Sequence, residues 1–117
     1  TRWEEVQTED ADLILVAYGT SARVSLGALQ LAREQGLKVG LLRPITLWPY
    51  PYKAIERLAG KDRRFLSVEM SMGQMVEDVR LAVNGKSPVD FFGRCGGVVP
   101  SQEEVFAEIK RILGVDK

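Results

Sequence analysis

At 117 residues, with 45% apolar and 27% charged side chains, the chain has the size and composition of one globular domain. Sixteen basic residues cancel sixteen acidic ones, which argues against nucleic acid as a partner, and no apolar run reaches the roughly 18 residues of a membrane span. Histidine is absent, which removes Ser-His and Cys-His nucleophile pairs and the commonest zinc ligand. Cys95 stands alone and has no internal disulfide partner, so a reducing, cytoplasmic setting is expected. Starting at Thr1 without an initiator methionine, residues 1–117 read as a single domain cut from a longer chain.

Residues 2–7 alternate weakly around Trp3 and Val6, and their charges suit an exposed edge strand. Asp12-Leu-Ile-Leu-Val-Ala-Tyr18 is a continuous apolar run of the kind buried on both faces of a parallel sheet. Gly19-Thr20-Ser21 is expected to turn the chain and to offer an N-cap hydroxyl. The helix after it carries Val24, Ala28, Leu31 and Ala32 on one stripe and stops at Gly36. Residues 37–42 form the next strand, closed by a turn at Arg43-Pro44.

Residues 45–52 read as a loop, because Pro49 and Pro51 suit neither a central strand nor a helix interior. Trp48, Tyr50 and Tyr52 lie there; rigid aromatics on a proline-stiffened loop suit a partner contact, or they fold back on their own sheet. A short helix over 51–59 turns Ala54, Ile55 and Leu58 inward.

Residues 65–70 are strand-like, and from Met72 onward the apolar period changes to that of a helix, through Met75, Val76, Val79, Ala82 and Val83. Met72 and Met75 read as core packing. Residues 88–92 form the last strand and end in Gly93-Arg-Cys-Gly-Gly97. Ser101-Gln-Glu-Glu104 has the spacing of a capping box ahead of a helix that buries Val105, Phe106, Ile109, Ile112 and Leu113.

Strands alternating with helices predict an α/β fold in three layers, with a mostly parallel sheet. The turns after four parallel strands then share one sheet edge, at 19–21, 43–44, 69–74 and 93–97. Glycine-rich helix starts at two of these turns, with Arg43 and Arg94 nearby, have the makings of an anion pocket. The alternative is that the arginines pair with Glu69 or with a carboxylate across an interface. Cys95 beside Arg94 reads as a small packed residue sooner than a reactive thiol.

Three suggestive patterns fail on spacing. Asn84-Gly-Lys-Ser87 has Arg80 where a phosphate loop needs glycine. Gly19-Thr-Ser-Ala22 is not a nucleophile elbow, and Gly93-x-x-Gly-Gly97 lacks the dinucleotide fingerprint.

Three motifs in order carry a resemblance: Leu42-Arg-Pro-Ile-Thr-Leu-Trp-Pro-Tyr-Pro51, Val68-Glu-Met-Ser-Met-Gly-Gln-Met75 and Phe92-Gly-Arg-Cys-Gly-Gly97. With them the chain resembles the C-terminal domain of the α subunit of 2-oxoacid:ferredoxin oxidoreductases, nearest the 2-oxoglutarate and branched-chain branch, from about Asp12 to Leu113. Ser71 stands where relatives often have asparagine.

The resemblance implies a transketolase C-terminal-like fold with a five-stranded sheet and an antiparallel N-terminal edge strand. It also implies a parent enzyme that decarboxylates a 2-oxoacid on thiamine diphosphate with Mg, passes electrons through iron–sulfur clusters to ferredoxin, and yields an acyl-CoA. The implied partners are the other domains of the α subunit and a thiamine-binding β subunit. No Gly-Asp-Gly motif is present, and one cysteine cannot ligate a cluster, so no catalytic residue, metal or cofactor is expected in this chain. Arg43, Glu69, Ser71, Gln74 and Arg94 are the expected anion or interface contacts. A free-standing anion- or nucleotide-binding module and a regulatory interaction domain are the competing readings.

Overall fold

The computed structural model describes residues 3–45, 52–60, 62–69, 74–93 and 100–114. Its elements are β1 (Trp3–Val6), β2 (Leu13–Val16), α1 (Thr20–Glu34), β3 (Val39–Pro44), α2 (Tyr52–Leu58), β4 (Arg64–Glu69), α3 (Gln74–Val83), β5 (Val89–Gly93) and α4 (Gln102–Leu113). The five strands form one sheet in the order β1-β3-β2-β4-β5. β2, β3, β4 and β5 run parallel, and β1 pairs antiparallel with β3 at the edge. The expected architecture is therefore present.

Burial explains the layering. Leu13 and Leu15 of β2 face one way and Ile14 and Val16 the other, and all four are fully buried. Under one face, Leu13, Leu15, Val39, Leu66 and Val68 pack with Ala28, Leu29 and Ala32 of α1 and with Val105, Ile109 and Ile112 of α4. Under the other, Ile14, Val16, Leu42 and Phe65 pack with Ala54, Ile55 and Leu58 of α2 and with Val79, Ala82 and Val83 of α3. Two covered faces are what a strand apolar at every position requires.

Several local expectations shift. The turn foreseen at Arg43-Pro44 is instead the end of β3, opposite Glu4 and Trp3. Proline is tolerated there because the β2 register stops at Leu42, so at Pro44 the strand has a neighbour on one side only. The cap of α1 is Gly19 rather than a hydroxyl, and no side chain bonds that helix end. Gly19 reaches φ 62°, a region open to glycine at little cost, which moves Thr20 and Ser21 inside the first turn.

The stripe of α1 is also rotated: Ala28 and Ala32 are buried as expected, Val24 and Leu31 are only partly so, and Leu29 takes the core position. Packing between α1 and α4 on the same sheet face sets that rotation. In α4, Phe106 and Leu113 likewise lie at the margin of the core.

The capping box of α4 forms as the sequence suggests. The Glu104 amide donates to Ser101 Oγ at 3.1 Å, and the Ser101 amide donates back to Glu104 Oε1 at 2.9 Å. Ser101→Ala should cost about 1 kcal/mol in urea unfolding. An unchanged midpoint would show that α4 is held by its packing alone.

Two polar networks fix the edge strand. Arg33 of α1 donates to both carboxylate oxygens of Asp10, and to the carbonyls of Gln7 and Val39 at 3.0 Å each. Glu5 accepts from Thr8 Oγ1 at 2.7 Å and Trp3 Nε1 at 2.9 Å, and pairs with Arg57 of α2. Burial pulls the Glu5 carboxyl upward, but the bonds from Thr8, Trp3 and Arg57 outweigh it and hold it below the ordinary value of 4.5.

A depressed folded value means that the native state binds fewer protons than the unfolded chain as pH falls. The Glu5 network therefore stabilises fully above 4.5 and is lost as pH drops through the folded value. The stability difference between the chain and Glu5→Gln should narrow between about pH 6 and about pH 3; a constant difference would contradict this account.

Candidate functional site

Because four strands are parallel, their carboxyl ends share one edge. The connection from β2 runs through α1 to β3, whereas that from β4 runs through α3 to β5. β2 and β4 are sheet neighbours, so the topological switch point lies between their carboxyl ends, where open α/β sheets build their sites. On the β2 side stand Ala17, the 38%-exposed Tyr18 and the start of α1 at Gly19-Thr20, whose cap makes no side-chain bond. On the β4 side stands Glu69.

Glu69 is 2% exposed. Its carboxylate accepts from Ser67 Oγ at 3.0 Å, two residues back on the same strand face, and from the amide of Val76 at 2.8 Å. Val76 is the third residue of α3, so its N–H is one of the first-turn donors that an α-helix leaves unpaired. A carboxylate at that position also complements the positive end of the helix dipole. The sequence marked Glu69 as an anion or interface contact; the structure gives it an anchoring position, joining β4 to α3.

Arg43 lies on the other side of β2 from Glu69 in the strand order. Its guanidinium meets Glu4 of β1 at 3.1 Å, with both side chains about half exposed. The structure therefore brings Arg43 to Glu4 and Glu69 to Ser67 and Val76. Gln74 opens α3 and Tyr52 opens α2. Ser71, Arg94, Cys95, Trp48 and Tyr50 lie outside the described residues, as do the side chains of Gln74, Tyr52 and Met75.

Sequence reasoning did not single out Arg63, just ahead of β4. Arg63 is 8% exposed and donates to the carbonyls of Glu9, Ala11 and Leu58, tying the end of α2 to the approach to β2 at the opposite sheet edge. No local pattern announces this, since Glu9 and Ala11 are more than fifty positions away in the chain.

Among the described residues no group of three or more His, Cys, Asp or Glu side chains converges in a way that would hold a metal. Nor is any helix among them long and apolar enough to cross a membrane. The carboxyl edge thus presents an anchored carboxylate, an open helix start, exposed Tyr18 and Ile45, and an ion-paired arginine. These groups can hold backbone in place and contact a partner surface.

This architecture defines the class: a transketolase C-terminal-like α/β domain. The fold matches that of a split gene transketolase (TM-score 0.76, 18% identity, covering 99% of this chain and 42% of that one). It matches equally the 2-oxoglutarate:ferredoxin oxidoreductase from Magnetococcus marinus (TM-score 0.76, 21% identity, 95% of this chain and 19% of that one). Residues 11–105 match the pyruvate:ferredoxin oxidoreductase core domain II family, and the chain belongs to that family.

Among its relatives is the ketoisovalerate oxidoreductase subunit VorB of Methanothermobacter thermautotrophicus, 46% identical over 97% of this chain and 32% of that protein. The 2-oxoglutarate synthase subunit KorA of Methanothermobacter marburgensis is 32% identical over 92% of this chain and 28% of its own length. The chain thus spans about a third of the length of these curated relatives.

Proposed function

We propose that the chain is the C-terminal scaffold and docking domain of an α subunit in a thiamine-dependent 2-oxoacid:ferredoxin oxidoreductase. The parent enzyme oxidatively decarboxylates a 2-oxoacid to an acyl-CoA and hands electrons through iron–sulfur clusters to ferredoxin. The observation that supports this most is the 46% identity to a ketoisovalerate oxidoreductase subunit along 97% of the chain. The domain's partners are the remaining domains of its own subunit and the thiamine-binding β subunit, in the cytoplasm.

Thiamine diphosphate, held elsewhere in the parent, supplies the electron sink for loss of CO2. The residues of this chain do not fit that group or a cluster: there is no Gly-Asp-Gly motif, no histidine and a single cysteine. What this chain contributes is position. The buried Glu69 ties β4 to α3, and the remaining site residues, Arg43, Ser71, Gln74 and Arg94, with Trp48, Tyr50 and Tyr52, are the contacts in this reading.

A coupled assay tests this. The parent enzyme should reduce a viologen dye given a 2-oxoacid and CoA. The chain alone should show no turnover, and calorimetry should show no micromolar binding of thiamine diphosphate. Turnover by the chain alone would overturn the proposal.

A further inference from the structure

A second feature lies beside the switch point, between α1 and the β1–β3 edge. Glu4, Val6, Ala22, Arg23, Leu26, Leu41 and Arg43 line an open groove of ≈ 290 Å³ there. Leu26 is 36% exposed, and Ile45, just beyond β3, is 41% exposed. Lying open to solvent, the groove does not enclose a small molecule on most of its surface as ligand pockets do. It suits a few side chains of a protein segment.

Charge says which kind. Arg23 has no ion-pair or hydrogen-bond partner among the described residues. Arg43 reaches a single oxygen of Glu4 and remains 45% exposed. The groove therefore has an apolar floor under a wall of two arginines and one glutamate, net positive at Arg23, which complements an aliphatic side chain next to a carboxylate.

Topology says where that segment comes from. β1 is antiparallel to the other four strands, so its first residue, Trp3, lies opposite Pro44 at the carboxyl edge. Chain that leads into β1 in a longer subunit therefore enters beside Glu4, at the lip of the groove. A tether of a few residues raises the effective concentration of such a segment to about millimolar, so a contact this small suffices.

We propose that this groove seats an acidic and aliphatic segment of the domain preceding β1 in the parent subunit, through Arg23, Arg43, Leu26 and the floor at Val6 and Leu41. The inference rests on the reading of the chain as one domain of a larger enzyme.

Arg23→Lys in the assembled parent enzyme tests it with a water-soluble carbodiimide, which joins an amine and a carboxylate that touch. Mass spectrometry should find a new link from position 23 to a carboxylate upstream of Trp3. Links only to Glu4, to another subunit, or to nothing would overturn the proposal. As a second measurement, Leu26→Asp should speed amide exchange at least tenfold in the segment preceding Trp3 while β2 and β4 exchange as before. Equal exchange in that segment would overturn it as well. Dye reduction by the unmodified enzyme in the same preparation separates the two claims: turnover without the link refutes the groove alone, and loss of turnover in a folded parent refutes the enzyme reading beneath it.

Discussion

Glu69→Ala should destabilise the chain by roughly 3 kcal/mol in urea unfolding, an unusual cost for removing one carboxylate. The size follows from burial. Truncation leaves the Val76 amide and the Ser67 hydroxyl without the acceptor they now share, in a place 2% exposed to water. Each orphaned donor costs about 1–3 kcal/mol, and the favourable carboxylate–dipole contact at the start of α3 is lost as well.

Glu69→Gln separates these effects, because its amide oxygen can still accept while the charge is gone. It should cost about 1 kcal/mol. If both substitutions cost under about 0.5 kcal/mol, the junction between β4 and α3 is not held by Glu69. Amide exchange at the start of α3 should rise in both variants before the rest of the sheet opens.

Phe65→Ala should cost more, about 3–5 kcal/mol, by making a cavity in the core. Phe65 is fully buried on β4, opposite Ile14 of β2 and Val89 of β5, and it belongs to the cluster beneath α2 and α3. Neighbours on rigid strands close in poorly around a lost ring, so the cavity term stays large. Against a total stability of typically 5–15 kcal/mol, that loss should shift the whole unfolding transition. Phe65→Leu should recover most of it. Equal effects of the two variants would mean that the site collapses freely and that the cluster is looser than its burial indicates.

The contrast between these positions shows what the sequence makes visible. The run from Leu13 to Val16, apolar at every step, announces a strand covered on both faces. The capping box at Ser101 announces α4 by local chemistry that needs no tertiary contact. The charges and alternation near Trp3 announce an edge strand, and its antiparallel pairing came only through the family resemblance.

What local patterns do not announce is set by distant parts of the chain. Leu29 displaces Leu31 in the core because α4, some seventy residues on, packs against α1. Arg43-Pro44 remains in the strand because β1 supplies a neighbour from the far end of the sequence. Arg63 owes its bonds to Glu9 and Ala11, and Glu5 its pairing with Arg57, to partners about fifty residues away.

For the site, the end of a buried strand was enough to single out Glu69. That its carboxylate serves an amide of α3 follows from how β4 and α3 meet, a relation that no fixed spacing encodes. Arg43 was noted for its charge, and its pairing with Glu4 depends on the antiparallel register of β1.

The central claim is that this domain works by docking through the carboxyl edge of its sheet. Hydrogen exchange on the assembled parent enzyme, compared with the chain alone, tests it most directly. Residues 17–20, Ile45 and Gly93 should exchange at least tenfold more slowly in the assembly, while Lys86 and Ser87 at the opposite edge exchange alike in both. Protection confined to that opposite edge, or none at all, would contradict the account.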